Sequence, residues 1–371
     1  MPKVYNWQLG RKMEYKYEEA RPERQIAWVF DINKCIECQT CTVACKTTWT
    51  SGKGQEYMLW NNVEVKPYGG YPIGWDVKIL SMHKKADNRK TLFEVAPNGE
   101  VVLGYLPEDE DYMYPNFGED VCYGIVEKGA FFNGIHQVWM FYLARICNHC
   151  TYPACLAACP RKAIYKRKED GIVLIDQERC RGYRECVKAC PYKKVFFNAL
   201  TRVSEKCIAC YPLIERGEQP RCVQTCIGKI RLQGFISNPN NPDPENPLDF
   251  LIYIKKVALP LYPQFGLEPN VYYIPPVHVP RRFLYQMFGG KERVEEALKV
   301  YENAKNDKEL LGALLLFGST NKIIHKFKVD KNYAYGYDDK GNLIAKVPFK
   351  EPVYIRPYYD KEHDVYRLNI T

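Results

Sequence analysis

Sixteen cysteines in a chain of 371 residues fall almost entirely into four tight groups, and nothing else limits so strongly what the polypeptide can fold around. The first group is Cys35, Cys38, Cys41 and Cys45, and the second is Cys147, Cys150, Cys155 and Cys159. The third holds Cys180, Cys186 and Cys190, and the fourth Cys207, Cys210, Cys222 and Cys226. Pro160 and Pro191 follow the last cysteines of the second and third groups. Disulfide scaffolds are short secreted domains, so clustering of this kind in a long chain points to bound metal. Only Cys122 stands apart, and it is expected to be a small buried hydrophobe.

The first group has the intervals of a bacterial ferredoxin motif, with Lys46 where proline usually follows. In such a motif three cysteines on a tight loop reach three irons of one cubane, while the fourth points toward a neighbouring cluster. Two motifs therefore share two clusters. The second and third groups are separated by 20 residues and pair with each other, which leaves the first to pair with the fourth. This nesting predicts three [4Fe-4S] ligand sets: Cys147, Cys150, Cys155 and Cys190; Cys35, Cys38, Cys41 and Cys226; and Cys45, Cys207, Cys210 and Cys222. In the third group Tyr183 occupies the place of a fourth cysteine, and a phenol is a poor substitute for a soft thiolate. A [3Fe-4S] cluster on Cys159, Cys180 and Cys186 is the expectation there. Structural zinc fits less well, because four thiolates packed into so short a loop crowd a tetrahedron around one ion.

The formal charge of +9 would ordinarily raise the possibility of nucleic acid. No nucleic-acid motif accompanies it, and four oxidised clusters with their thiolates contribute roughly −8. Basic residues crowd the second and third groups: Arg161, Lys162, Arg179, Arg181, Arg184, Lys188, Lys193 and Lys194. Positive charge near a cluster favours its reduced form. His149 sits inside the second group, but the cysteine count is complete without it.

Short β-type runs at 27–32, 171–175 and 195–203 precede the first, third and fourth groups. The expected fold class is α+β: two ferredoxin-like four-cysteine modules packed together, a large irregular insertion and a mixed helical and strand C-terminal extension. The corresponding segments are 1–45, an N-terminal arm with the first motif; 46–146, the insertion; 147–226, the central motifs; and 227–371, an extension for partner contact. The insertion carries turn signals at Pro67, Gly69-Gly70, Pro72 and Asn98-Gly99. Its aromatics Tyr57, Trp60, Tyr68, Tyr71 and Trp75 belong mostly to its own core on this reading. The extension offers a helix at 291–305, with Val294, Ala297, Leu298 and Tyr301 on one face. A second helix follows Asp307 as N-cap and ends near Gly318, and strands follow between 329 and 345.

No G-x-G-x-x-G, P-loop, H-E-x-x-H or nucleophile elbow occurs, so no catalytic residue is expected. The longest apolar run, 310–317, is far shorter than the roughly 20 residues a membrane-spanning helix needs. The N-terminus has neither an apolar export stretch nor a twin-arginine pair. The expectation is a chain that stays in the cytoplasm or is exported with a partner.

The residues CIECQTCTVACKTTWTSGKGQEYMLWNNVEVKPYGGYP, CNHCTYPACLAACPR, CRGYRECVKACPYKKVFFN and EKCIACYP, with CIGKIR after it, resemble the iron–sulfur β subunits of respiratory nitrate reductases and nitrite oxidoreductases. The opening VYNWQLGR is similar to nitrite oxidoreductase β subunits in particular. Dimethyl-sulfoxide reductase and formate dehydrogenase subunits generally keep a cysteine where Tyr183 stands. This favours the nitrate and nitrite branch and its close kin, which include ethylbenzene and dimethyl-sulfide dehydrogenases and selenate, chlorate and perchlorate reductases. In nitrate reductases the place commonly holds tryptophan, so Tyr183 is a departure. The resemblance implies single-electron relay between a molybdenum bis-pterin catalytic α subunit and a haem-containing γ subunit. It also implies membrane association through those partners, on the periplasmic side or the cytoplasmic. A free-standing polyferredoxin serving several soluble partners is the alternative.

Overall fold

The run QIAWVFD is apolar almost without interruption, and it forms a strand, Gln25–Asp31, in which all seven residues are buried. A strand covered on both faces is expected to read this way. In the computed structural model, which describes residues 1–67, 70–82, 91–95, 105–113, 139–350 and 355–370, this strand lies inside a four-stranded sheet. Arg231–Ile236 pairs with it antiparallel, placing Leu232 opposite Val29, and Val271–Ile274 pairs with it parallel, placing Tyr273 opposite Phe30. The short strand Leu259–Pro260 closes the far edge. Residues distant in sequence thus flank the approach to the first cysteine group.

Alternation along the central strand sorts the interior into two cores. Ile26, Trp28 and Phe30 face a core that contains cysteines of every group. Ala27 and Val29 face the other, which is closed by Leu248, Leu251, Leu310, Ala313 and Leu314 and holds no cysteine. Fully burying each such aliphatic side chain contributes about 1.5–3 kcal/mol.

The cysteine loops lead into short helices that pack in pairs. Ala154–Ala158 lies against Glu185–Ala189, and Thr40–Trp49 lies against Arg221–Gln224. Two β-hairpins accompany the inner pair: Ile164–Lys166 with Val173–Ile175, and Val195–Asn198 with Val203–Lys206. The run 195–203 is therefore a strand, a turn and the start of the return strand. The Asn198 side chain makes the turn, accepting from the backbone N–H of Leu200 and Thr201 at 3.0 and 3.1 Å.

In the insertion, Asn62–Lys66 pairs with Phe141–Arg145 and short helices lie at Trp75–Met82, Leu92–Val95 and Asp109–Met113. Trp60, Tyr71 and Trp75 are buried and Tyr57 is exposed. Tyr68, Gly69, Asn98, Gly99 and Cys122 lie outside the described residues. The two strands are tied by a buried network centred on the Glu64 carboxylate. It pairs with Arg145 and with Lys66, and accepts from the Trp75 indole N–H at 2.9 Å. Lys66 pairs in turn with Asp76 at 2.7 Å, and the Arg145 guanidinium stacks 3.9 Å over Trp75.

The C-terminal extension begins its first amphipathic helix at Lys291 and ends it at Glu302, with a separate 3-10 turn at Ala304–Asn306. Val294, Ala297 and Leu298 are buried, while the half-buried Tyr301 donates its hydroxyl to Asp31 at 3.0 Å. Asp307 caps Lys308–Leu315 by accepting from the Leu310 N–H, and Gly318 takes a left-handed conformation beyond its end. The strands Lys326–Val329, Tyr333–Tyr337 and Leu343–Pro348 form a meander that packs on this helix.

The Leu310→Ala substitution empties a fully buried site in the cysteine-free core. It is expected to cost about 2–5 kcal/mol, read from the denaturant midpoint of the chain. An unchanged midpoint would contradict the placement of this helix.

Candidate metal centres

One backbone device repeats in all four cysteine loops. The residue two positions after the first cysteine adopts a left-handed conformation in every case: Glu37, His149, Gly182 and Ala209. Successive turns of this kind aim backbone N–H groups into a concavity suited to anionic sulfur. The next residue is Cys38, Cys150 and Cys210 in three loops and Tyr183 in the third, where the phenol is 60% exposed. A second device recurs at the far ends of the loops. Lys162, Lys193 and Lys229 are left-handed three residues after Cys159, Cys190 and Cys226. The backbone N–H that follows reaches back to the sulfur, from Ala163 to Cys159 at 3.3 Å and from Ile230 to Cys226 at 3.4 Å.

The chain folds the sulfurs into separate neighbourhoods. Cys35, Cys38, Cys41 and Cys226 line one cavity beside Arg231. Cys45, Cys207, Cys210 and Cys222 line a second with Trp28, Trp49, Trp60 and Asn61. Cys147, Cys150, Cys155 and Cys190 line a third with His149, Lys194 and Lys206. Cys159 and Cys180 are the thiols nearest in effect to Cys186, and Ser204 touches two of these three sulfurs. Its N–H donates to Cys180 at 3.4 Å and its hydroxyl lies 3.4 Å from Cys186.

Spacing within these sets decides what they can hold. Four thiolates on one zinc ion, at bond lengths near 2.3 Å, stand about 3.8 Å apart. Among the described residues the one group of three ligand-type side chains with all donor atoms within 4.8 Å of one another is Asp360, Glu362 and His363, on an exposed turn. No three of the described thiols therefore meet at the spacing of a single ion.

Unpartnered polar groups test the fit further. Trp28 Nε1, Trp60 Nε1 and Asn61 Nδ2 are buried donors without acceptors, and all three belong to residues lining the second cavity. The Trp49 indole there donates to Cys210 at 3.2 Å. Buried N–H groups are almost always satisfied, and inorganic sulfides would supply the acceptors. His149 accepts from the Val173 N–H at Nδ1 and leaves Nε2 unpartnered. Burial, with the Lys206 charge, holds its pKa well below the usual imidazole range.

Charge gives the same answer. Lys193, Lys194, Lys206 and Arg231 are all buried, and none has a carboxylate within 4.0 Å among the described residues. Neutral oxygens hold them, as where Lys206 donates to the Cys207 carbonyl at 2.8 Å and Lys194 to the Leu59 carbonyl at 3.3 Å. Burial pushes Lys193 down to about 8. An uncompensated buried cation costs several kcal/mol, and anionic centres at the neighbouring thiols would offset it. Of the basic residues that crowd the motifs, Arg161, Lys162, Arg179, Arg181 and Arg184 are exposed, and Lys188 is half-buried. Arg231 and Lys206 escaped the reading of the sequence, although a charge heading the buried run RLQGFI is a signal in its own right.

Burial pushes the thiol of Cys35 to about 12, that of Cys222 to about 12 and that of Cys186 to about 11. At the exposed Cys38 the smaller burial effect is outweighed by hydrogen bonds from the Thr40 hydroxyl and from backbone N–H groups, and its pKa is lowered. In the metal-free reduced chain, mass-spectrometric mapping should therefore find Cys38 alkylated by iodoacetamide before Cys35, Cys186 or Cys222. Earlier alkylation of those three would contradict the arrangement.

Comparison with known proteins agrees with this chemistry. Residues 138–235 match the family model of the 4Fe-4S dicluster domain. The selenate reductase β subunit of Thauera selenatis is 43% identical, over 81% of this chain and 98% of its own length. The chlorate reductase β subunit of Ideonella dechloratans is 44% identical, over 81% and 98%. A respiratory nitrate reductase β subunit from Haloferax mediterranei is 44% identical, over 76% and 86%.

Proposed function

Because the chain belongs to the iron–sulfur β subunits of the type II molybdenum bis-pterin oxidoreductases, we propose that it carries three [4Fe-4S] clusters and one [3Fe-4S] cluster. In this role it relays single electrons between a molybdenum catalytic subunit and a haem-bearing or other redox subunit. It is a non-catalytic, electron-transfer subunit, and its architecture is a mixed α/β fold with an internal cluster domain. The observation that carries the proposal is the separation of its thiols into cavities lined by buried donors and by cations without carboxylates.

On this reading Cys35, Cys38, Cys41 and Cys226 hold one [4Fe-4S] cluster, Cys45, Cys207, Cys210 and Cys222 a second, and Cys147, Cys150, Cys155 and Cys190 a third. Cys159, Cys180 and Cys186 hold the [3Fe-4S] cluster. The paired helices support two ferredoxin-like modules, the inner inserted within the outer. Bound clusters supply one-electron redox chemistry at nearly fixed geometry. The chain's residues do the rest. Indole and backbone N–H groups bond sulfur, Trp28 and Trp60 exclude water, and buried lysines fix positive charge nearby.

The relatives favour the broader branch over the nitrate reductase and nitrite oxidoreductase reading alone. Selenate and chlorate reductase subunits align over nearly their whole length, and a nitrate reductase subunit is equally identical over a smaller share. We therefore assign the chain to a reductase or dehydrogenase complex of that branch, with residues 227–371 as its surface for partner contact. No helix among the described residues is long and apolar enough to cross a membrane, so the chain would be held at a membrane through its partners.

Anaerobic purification should yield a stoichiometric complex with a large molybdenum subunit, in which this chain carries about fifteen iron atoms. A lone monomer that exchanges electrons with many enzymes would instead make it a polyferredoxin. The Tyr183→Cys variant should convert the three-iron signal in electron paramagnetic resonance into that of a fourth cubane. An unaltered signal would show that the third loop is read wrongly.

A further inference from the structure

Arg231 is 1% exposed and heads the strand that pairs with Gln25–Asp31. Its guanidinium donates through NH2 to Cys41 Sγ at 3.0 Å and through NH1 to Asn61 Oδ1 at 3.1 Å. It lies 4.6 Å over the Phe30 ring, which holds its plane in place. Cys41 belongs to the first cavity, and Asn61 lines the second. The Cys222 thiol, on the second cavity, also feels the charge of Arg231. The thiols that bear on the guanidinium come from both sets: Cys41, Cys222, Cys226 and Cys35. One arm of the guanidinium thus holds a sulfur of the first cavity and the other a residue lining the second, and no described carboxylate lies within 4.0 Å to compete for the charge.

We propose that Arg231 is a shared counter-ion of the two outer clusters, a single guanidinium bonded to the ligand sulfur of Cys41 on one and to Asn61, which lines the cavity of the other. The proposal rests on the ligand sets assigned under the preceding heading. Arginine suits the position because its planar fork presents several donors at once and stays charged, whereas an ammonium is a point charge. A fixed cation and N–H donors at ligand sulfur both favour the reduced, more negative state of a cluster. Because one charge serves two clusters, their potentials would rise together. Lys194 and Lys206, near the third cavity, have only carbonyl and amide oxygens as bonded partners and do not bridge sulfurs.

The test is a redox titration of the assembled complex, followed by electron paramagnetic resonance, with wild-type chain and Arg231→Gln. Glutamine keeps a donor but removes the charge. Two of the four midpoint potentials should move downward together while the other two stay in place, with iron content unchanged. Four unmoved potentials, or a shift confined to one cluster, would overturn the shared role. Fewer than four centres in the wild-type chain would overturn the ligand assignment itself and the proposal with it. Should Arg231→Gln fail to assemble, Arg231→Lys decides. An ammonium cannot hold the place of the fork between Cys41 and Asn61, so the same two potentials should both move while the other two stay. Two unmoved potentials, or a shift in one alone, would overturn the proposal.

Discussion

A lysine or arginine in a protein interior needs an opposing charge, and among the described residues four of them have no carboxylate within 4.0 Å. Glu64 and Asp76 neutralise Arg145 and Lys66 in the insertion, so the fold does build ordinary buried ion pairs where it needs them. Lys193, Lys194, Lys206 and Arg231 are left to neutral oxygens and to the sulfurs beside them. In the proposed holoprotein the clusters are the missing anions. Inorganic charge and protein charge would then hold each other in the interior.

This dependence explains the topology. Each thiol set draws on two stretches of chain, and the set completed by Cys226 spans nearly the whole cysteine-bearing region. The sheet around Gln25–Asp31 makes that closure possible, because Arg231–Ile236 returns beside the strand that leads into the first loop. The cysteine-free core on the other face of the same sheet anchors the C-terminal helices and meander. In the proposed holoprotein metal would order one side of the sheet, and aliphatic packing orders the other.

Much of this was legible in the sequence. Cysteine spacing pointed to clusters, the alternation in 291–305 gave a buried stripe, and Asp307 announced a cap. Other features left no such trace. The left-handed turn recurs at Glu37, His149 and Ala209, where no glycine advertises it, and only Gly182 does so. Ligand spacing says nothing about counter-ions, so Arg231 and Lys206 passed unremarked beside the cysteines of the fourth group, although the thiol cavities they line also draw on distant stretches of chain. The β-type run at 195–203 hid a turn made by the Asn198 side chain, which propensity alone does not reveal. Trp60 read simply as an aromatic of the insertion, yet it lines a thiol cavity.

The central claim concerns what sits among the thiols, and anomalous scattering from crystals of the anaerobic complex addresses it directly. Difference maps at the iron absorption edge should place one iron centre within this chain at each of the four thiol sets, with the Cys159, Cys180 and Cys186 centre weakest. Peaks that appear instead at the zinc edge, or thiol sets without iron, would contradict the account.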